Sequence, residues 1–201
     1  MNEYNLNSNT FIGGWFIPDN LCDDIVKFFN NNKKLQNKGN VGILKNENIF
    51  TKEINSDVKE STDLQIRSNY CDVPFADYRF FLQDCLNNYI KKYSDVDSNR
   101  KFDVNESYQI QHYKKGGGYK QWHYENVDNI KRLLVFMTYL NDNEDGGTHF
   151  KYQNLITPAK KGLTVIWPAG WTHTHKSQIS KTNEKYIITG WFTINEWRIS
   201  R

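Results

Sequence analysis

The sequence predicts a mostly β protein in which two N-terminal helices support a C-terminal double-sheet β core. Two segments before residue 103 have apolar residues at helical spacing. After residue 104 the chain becomes a series of short β-rich runs bounded by Gly, Pro, Asn or Asp. Its 201 residues include 15% aromatics, which is enough to exclude a disordered chain and to form a full core. Closely spaced short strands are typical of a β-sandwich, a jelly roll or a barrel.

The two helices are predicted at residues 18–32 and 74–93. The first opens with a proline and an aspartate, which are common helix-start signals, and both segments repeat apolar residues three and four positions apart. Residues 33–65 between the helices are rich in Lys, Asn and Gly and predict a surface loop with one short strand. This loop is a candidate lid, and residues 94–103 form a polar connector.

The length predicts one domain over residues 1–201. Within it, residues 1–103 would form the helical support and the lid region. Residues 104–201 would form the β core, and every chemically suggestive residue lies there.

Charge, hydrophobicity and cysteine usage exclude several classes of protein. A net charge of +3, with acids and bases interspersed, argues against a dedicated nucleic-acid binder. No apolar run approaches the ~18–20 residues of a membrane span. The three cysteines are widely spaced, which indicates neither a zinc knuckle nor a disulfide framework. The polar N-terminus has no secretory signal, so we expect a cytoplasmic protein.

Two pairs of polar residues in the β-rich half have the spacing of metal ligands. His123 and Glu125 in QWHYEN are two positions apart, so on a strand they would share one face. His173 and His175 in WTHTHK have the same spacing. Two histidines and one carboxylate with open coordination positions form the facial triad of non-haem Fe(II) oxygenases. Taken singly, each pair also fits a solvent-facing strand or structural histidines.

Lys185, in the run NEKYIITGWF, is a third candidate. The period of a strand puts Lys185, Ile187, Thr189 and Trp191 on one face. A lysine on the inner face of an apolar strand is costly unless an anion pairs with it, and a dicarboxylate cosubstrate would supply that anion. The alternative is a lysine at the strand entry that extends its ammonium group to solvent.

From Gln109 to Phe192 the chain resembles the prolyl 4-hydroxylase-like branch of the 2-oxoglutarate- and Fe(II)-dependent dioxygenases, in particular its short bacterial and phage members. The resemblance rests on four segments in order: QIQHYKKGGGYKQWHYE, RLLVFMTYLNDNEDGGTHF, KKGLTVIWPAGWTHTHK and EKYIITGWF. It implies a double-stranded β-helix (jelly roll) core with the N-terminal α-helices packed on one sheet. A phage-encoded member would act in the host cytoplasm.

The resemblance implies that His123, Glu125 and His175 are the metal ligands. The family has an HxD pair and a distal histidine, and here Glu125 replaces the aspartate. The distal histidine of the family precedes the 2-oxoglutarate-binding base by ten residues, and Lys185 minus ten is His175. His173 would then lie near the ligands or at the substrate mouth, or be a plain polar strand residue.

The resemblance also assigns a cosubstrate pocket. Lys185 would pair with the far carboxylate of 2-oxoglutarate, and a lysine there argues against the nucleic-acid demethylase relatives, which use arginine. Tyr113 would reach the same carboxylate and Thr189 would add a hydroxyl, although Tyr113 also fits a core tyrosine. Gln111 is a candidate for the pocket wall. Arg132 fits either a contact to the substrate or an ordinary ion pair.

The implied activity is hydroxylation of an unactivated C–H bond, with a prolyl residue of a peptide or protein as substrate. The implied cofactors are Fe(II), 2-oxoglutarate and O2, with ascorbate as the reductant that would keep iron reduced, and with succinate and CO2 as products. No catalytic residue separate from the metal ligands is expected. Two alternatives remain: the same chemistry on a free amino acid, small metabolite or nucleobase, and a non-catalytic jelly-roll binding module with a degenerate metal site. We expect neither nucleic-acid nor membrane partners, and the sequence leaves the oligomeric state open.

Overall fold

A computed structural model of the protein describes residues 1–45, 49–97, 101–126 and 131–195. Two α-helices are present in this part of the chain, α1 (Asp19–Asn31) and α2 (Phe75–Lys92). The strands, in chain order, are β1 (Gly13–Phe16), β2 (Gln36–Lys38), β3 (Val41–Lys45), β4 (Ile49–Glu53), β5 (Lys59–Glu60), β6 (Thr62–Ile66), β7 (Phe102–Asp103), β8 (Tyr108–Tyr113), β9 (Gly118–Tyr119), β10 (Arg132–Tyr139), β11 (Asn143–Phe150), β12 (Leu155–Ala159), β13 (Leu163–Pro168), β14 (His175–Ser177) and β15 (Lys185–Ile194).

The strands form one large sheet, one smaller sheet and two short pairs. Within the described residues the large antiparallel sheet has the order β1-β13-β10-β15-β8-β6-β2, with β7 beside β15. A three-stranded sheet has the order β12-β11-β14, while β3 pairs with β4 and β5 with β9. This two-sheet core with supporting helices confirms the predicted mostly β, jelly-roll fold class.

Strand β10 shows how the large sheet forms a core on both faces. Leu134 and Phe136 point to the face that carries the helices, and Val135, Met137 and Tyr139 point to the face that meets the small sheet. Successive residues of a strand alternate between faces, so a strand buried on both sides must be apolar throughout. This explains why the run RLLVFMTYL has no polar alternation.

The helices cover the outer face of the large sheet. Both begin and end within two residues of their predicted bounds. Tyr78 of α2 donates or accepts a hydrogen bond at 3.1 Å with Thr138 of β10, which fixes the helix on the sheet. The buried helical residues are Leu21, Cys22, Ile25 and Phe29 of α1, and Phe75, Tyr78, Leu82, Cys85, Leu86 and Tyr89 of α2. Neither described helix combines the length and apolar character that crossing a bilayer requires.

The segment 33–65 differs from the sequence-based prediction. In place of a loop with one short strand, it contributes β2 to β5 and most of β6. Strands β2 and β6 extend the large sheet, where Leu64 and Ile66 are buried beneath the helices. These strands are only two to five residues long and largely polar, so their alternation is too brief to stand out in the sequence. Residues before 104 therefore build part of the same sheet as the β-rich half.

Candidate metal centre and cosubstrate pocket

Three side chains converge at one end of the cavity between the sheets: His123, Glu125 and His175. One ligand atom from each lies within 4.8 Å of the others. Glu125 Oε1 is 3.3 Å from His123 Nε2 and 3.8 Å from His175 Nε2. The sequence places fifty residues between the two histidines, and the fold removes that separation.

A single backbone bridge brings the two histidines together. The His123 N–H donates to the His175 carbonyl at 3.0 Å, and the His175 N–H donates to the His123 carbonyl at 2.8 Å. At His123 the strand-like pairing is limited to this isolated bridge, and two residues later the Glu125 N–H donates a hydrogen bond to the Ala169 carbonyl. The expectation that His123 and Glu125 share one face of a regular strand is therefore wrong. Convergence comes from the pairing of the irregular segment at His123 with the first residue of β14.

Both imidazole rings are oriented by backbone carbonyls. Nδ1 of His123 is 3.1 Å from the carbonyl oxygen of Gln121, and Nδ1 of His175 is 2.9 Å from that of His173. A carbonyl oxygen accepts a hydrogen bond only from an Nδ1–H group, so in the neutral form of each ring Nε2 carries the free lone pair. Such outer hydrogen bonds are the usual support of histidine ligands to metals.

The second oxygen of Glu125 is held away from the centre. Trp191 Nε1 donates to Oε2 at 3.0 Å, and Arg132 Nη1 lies 3.3 Å from the same atom. The Arg132 guanidinium lies 3.4 Å from the centre of the Trp191 ring and is fixed by Glu106 at 2.7 Å. These contacts leave Oε1 directed at the histidines, so the extra methylene of glutamate is accommodated by this anchoring.

The electrostatics keep the cluster in the protonation state that binds cations. Burial by itself raises the pKa of Glu125, but the hydrogen bond from His123 and the charges of His123, His175 and Arg132 outweigh it and lower the pKa to about 2. Burial, reinforced by His123, lowers the pKa of His175 to about 3. At neutral pH the centre therefore has an ionised carboxylate and a neutral His175.

This donor set fits a divalent metal ion. Glu125 Oε1 is 3.3 and 3.8 Å from the two Nε2 atoms, somewhat wider than the ~3 Å expected between adjacent ligand atoms that lie about 2.1 Å from one ion. Imidazole and carboxylate ligands suit iron, and three protein ligands leave coordination positions open.

His173 lies outside this cluster. It ends a short 3-10 helix (Trp171–His173), so the expectation that it shares a strand face with His175 is wrong. Its Nε2 is 2.9 Å from the carbonyl oxygen of Thr10, and its Nδ1 is 3.0 Å from the hydroxyl of Thr172. Both ring nitrogens are thus engaged, and the contact of Nε2 with Thr10 ties the N-terminal segment to the core.

Lys185 is buried at the start of β15, with only 3% of its surface exposed. Its Nζ donates to the Gly146 carbonyl at 2.7 Å and lies 5.3 Å from the centre of the Tyr113 ring. Burial lowers the pKa of Lys185 to about 7, although the charge of Asp145 opposes this shift. No described carboxylate lies within ion-pair distance of it, so a buried cation is left without a charged partner.

Tyr113 and Thr189 lie on the strands around Lys185, and both line the cavity. Tyr113 is directly opposite Lys185 in the β8–β15 pairing, and its hydroxyl donates to Gln111. The Thr189 hydroxyl donates to the Phe136 carbonyl at 2.9 Å. Each hydroxyl oxygen retains lone pairs, but each proton is already committed within the protein.

The cavity that joins these residues has a volume of about 700 Å³, within the range of small-molecule sites. Its metal end is formed by the His123, Glu125 and His175 cluster, together with Trp167 and Trp191. Its other end runs along the large sheet, beneath residues 37–42 of the segment predicted as a lid. That polar end is lined by Asn37, Asn40, Lys59, Asp63, Gln65, Gln109 and Gln111.

Sequence reasoning missed a buried ion pair in this polar wall. Lys59 Nζ is 2.6 Å from Asp63 Oδ2, and their side chains are 3% and 11% exposed. Ser61 donates to the other carboxylate oxygen at 2.7 Å. A lysine and an aspartate four positions apart in a polar stretch look like surface residues, and no sequence signal distinguishes them. Glu106, which anchors Arg132, was missed for the same reason.

The Lys59–Asp63 pair gives a stability prediction. We expect Lys59→Met to lower the free energy of unfolding by about 3–5 kcal/mol, because it leaves the Asp63 carboxylate buried without its cation. Lys59→Met/Asp63→Leu removes both charges and should recover most of that loss. Urea denaturation followed by fluorescence measures both. A single variant as stable as the wild type would contradict the prediction.

Comparison with known proteins identifies the class. Residues 108–193, which contain His123, Glu125, His175 and Lys185, match the family model of the 2OG-Fe(II) oxygenase superfamily. Comparison with curated protein sequences gives no significant match.

Solved structures of prolyl hydroxylases have a similar fold. A Pseudomonas putida prolyl-4-hydroxylase aligns with 94% of this chain and 99% of its own, at 14% identity and a TM-score of 0.66. The viral collagen prolyl hydroxylase of Paramecium Bursaria Chlorella virus-1 aligns over 92% and 97%, at 16% identity and a TM-score of 0.60. A Trichoplax adhaerens prolyl hydroxylase, in complex with a hypoxia inducible factor peptide fragment, aligns over 92% and 84%, at 14% identity and a TM-score of 0.67.

The described residues bring two histidines and one carboxylate together on a jelly-roll fold. The chain has a fold similar to that of prolyl 4-hydroxylases, and its residues 108–193 match the 2OG-Fe(II) oxygenase superfamily. It is a 2-oxoglutarate-dependent dioxygenase, as the resemblance in its sequence predicts.

Proposed function

We propose that this dioxygenase hydroxylates an unactivated C–H bond of a prolyl residue in a peptide or protein. The observation that carries the proposal is the cavity, in which the His123, Glu125 and His175 cluster opens onto a polar channel beside the buried Lys185. Similarity to prolyl hydroxylases, one of them in complex with a peptide, supports a peptide substrate.

In this proposal the three converging side chains hold Fe(II). Iron, with 2-oxoglutarate and O2, supplies the oxidative decarboxylation that yields succinate and CO2 and the oxygen atom inserted into the substrate. The chain contributes geometry: Arg132 and Trp191 hold Glu125 in place, and backbone carbonyls fix both imidazoles. Ascorbate would serve as the reductant.

Lys185 is the proposed anchor of the far carboxylate of 2-oxoglutarate. A dicarboxylate would give this buried ammonium the anion that it lacks in the protein alone, and the Coulomb interaction would be strong in so dry a position. Tyr113 lies against it and would donate its hydroxyl proton to the same carboxylate in place of Gln111. Thr189 lies four residues further along β15 and would border the cosubstrate.

The wall of the polar channel supports a peptide over a charged small molecule. Gln65, Gln109 and Gln111 lie on neighbouring strands and line the cavity. Each amide offers both donors and an acceptor, which suits the N–H and C=O groups of an extended chain. The charges of Lys59 and Asp63 neutralise each other, so this pair offers no net charge to a small ionic substrate.

Succinate release tests the substrate class. We expect proline-containing peptides to stimulate succinate formation by at least about tenfold over the uncoupled rate, the difference that 1.4 kcal/mol of substrate binding makes. Free proline and other free amino acids should not, because they lack the peptide groups that the channel would bind. Mass spectrometry should find a gain of one oxygen on the prolyl residue. Stimulation by free amino acids alone would contradict the proposal.

A further inference from the structure

A surface of exposed aromatic rings and lysines adjoins the cavity mouth. We call it the aromatic–lysine surface, and it consists of Trp122, His149, Lys151, Tyr152, Trp171 and Lys176. Trp171, Tyr152 and Trp122 are 65%, 59% and 37% exposed. Large aromatic side chains are costly to leave in water, and their grouping at one place on a protein marks an interaction site.

The small sheet places this surface next to the site. Within β11, Thr148 and Phe150 are buried while His149 points outward, opposite Lys176 of β14. Trp122 covers both outward residues: its ring is 5.1 Å from that of His149 and 4.6 Å from Lys176 Nζ. Trp122 and Lys176 also line the cavity, so the surface begins at the mouth and continues over the outside of the sheet.

The turn after β11 extends the surface. Tyr152 and Trp171 meet edge to face at 6.2 Å, and a hydrogen bond from Gln153 to the Thr172 carbonyl at 3.0 Å joins their two segments. Because the segments are tied together, the rings form a fixed platform whose members do not move independently.

The lysines on this surface are not neutralised. Lys151 Nζ lies 5.5 Å from the Tyr152 ring and 6.0 Å from the Trp122 ring, and Lys176 Nζ lies over Trp122. Among the described residues, neither lysine makes an ion pair with a carboxylate, whereas Lys59, Lys92, Lys120 and Lys161 all do. Two cations held against rings at the rim of the cavity create a local positive potential.

We propose that the aromatic–lysine surface binds an acidic, extended segment of the polypeptide that carries the reacting residue. This inference rests on the proposed function, because it assumes a peptide in the cavity. Flat aromatic faces bind extended, proline-rich backbone with little entropic cost, and Lys151 and Lys176 complement Asp or Glu side chains beside it. The surface therefore determines which peptides bind, and the metal end of the cavity determines where they react.

A nucleic acid fits the same surface less well. Two lysines are a small footprint for a phosphate backbone, and the chain has a net charge of only +3. A peptide with a few acidic residues matches two cations and three aromatic rings.

Fluorescent peptides test the proposal in the full chain loaded with Mn(II) and 2-oxoglutarate, where binding is measured without turnover. Each of three peptides carries one proline in a Gly/Ser context. Their flanks differ: one peptide has four Glu, the second has four Lys and the third has no charged residue. We expect the Glu peptide to bind at least about tenfold more tightly than the uncharged one, the combined effect of two rim charges. In Lys151→Glu/Lys176→Glu this ratio should fall to one or below.

The matched control is Lys27→Glu/Lys91→Glu, which makes the same change in net charge on the exposed sides of α1 and α2. This control should keep the wild-type ratio of affinities for the Glu peptide and the uncharged peptide. A separate variant, Trp171→Ala, should weaken binding of all three peptides. Equal binding of the three peptides by the wild type would overturn the proposal, as would an equal loss in the control. Tighter binding of a single-stranded oligonucleotide than of the Glu peptide at physiological salt would also overturn it. Succinate release from the uncharged peptide tests the proposed function separately.

Discussion

Replacing Glu125 with alanine is expected to weaken Mn(II) binding by more than about 100-fold, beyond the 10–100-fold typical of residues that only support a ligand. The variant removes the one anionic group among the three converging side chains. It also leaves Arg132 and Trp191 without the carboxylate oxygen that they contact. Isothermal titration with Mn(II) measures the loss, and succinate formation should fall in parallel.

Two further variants make the result specific. Glu125→Asp should bind Mn(II) with intermediate affinity, because a shorter side chain cannot reach the histidines and keep both contacts of Oε2. His173→Gln is the matched control, since His173 is buried beside His175 but bonds to Thr10 and Thr172. Its Mn(II) affinity should stay within about twofold of the wild-type value, which is the variation expected of a change outside the ligand set. Unchanged affinity in Glu125→Ala, or an equal loss in His173→Gln, would refute the ligand assignment.

Lys185→Met is expected to raise the Kd for 2-oxoglutarate by about 100-fold, because a desolvated charge pair contributes about 2–5 kcal/mol when one partner is removed. Methionine has a similar volume and keeps the apolar contacts of β15. Mn(II) affinity should not change, which separates this variant from Glu125→Ala. The control is Lys181→Met, an exposed lysine of the preceding turn. Wild-type 2-oxoglutarate affinity in Lys185→Met would exclude the anchor role.

The pH dependence of 2-oxoglutarate binding follows from the same residue. Only the protonated lysine pairs with a carboxylate, and burial lowers the Lys185 pKa to about 7, so the charged fraction falls as pH rises through that value. The Kd for 2-oxoglutarate should therefore rise about tenfold between pH 6 and pH 8, while the ligand itself stays doubly ionised. In Lys185→Met the Kd should be constant over this range.

The secondary structure was predictable where elements are long and apolar on at least one face. Both helices and the strand containing Phe136 have a complete pattern over eight or more residues. Strands β2 to β6 have two to five residues and many polar side chains, so neither periodicity nor propensity distinguishes them from a loop. Strand β6 forms because Leu64 and Ile66 are buried beneath α1 and α2, which is a property of the assembled sheet.

The sequence by itself determined the class of fold, the superfamily and the set of residues that face one another across the site. The resemblance to the family, through the ten-residue separation from Lys185, selected His175 over His173, and the structure places His175 with His123 and Glu125. Only the tertiary structure decided how these residues meet. The His123–His175 bridge and the Arg132–Trp191 support of Glu125 join residues from separate segments. The Lys59–Asp63 pair buries two residues that look exposed in the sequence. Sequence periodicity indicates which face of one element is buried, but it carries no information about which polar groups of two elements contact each other.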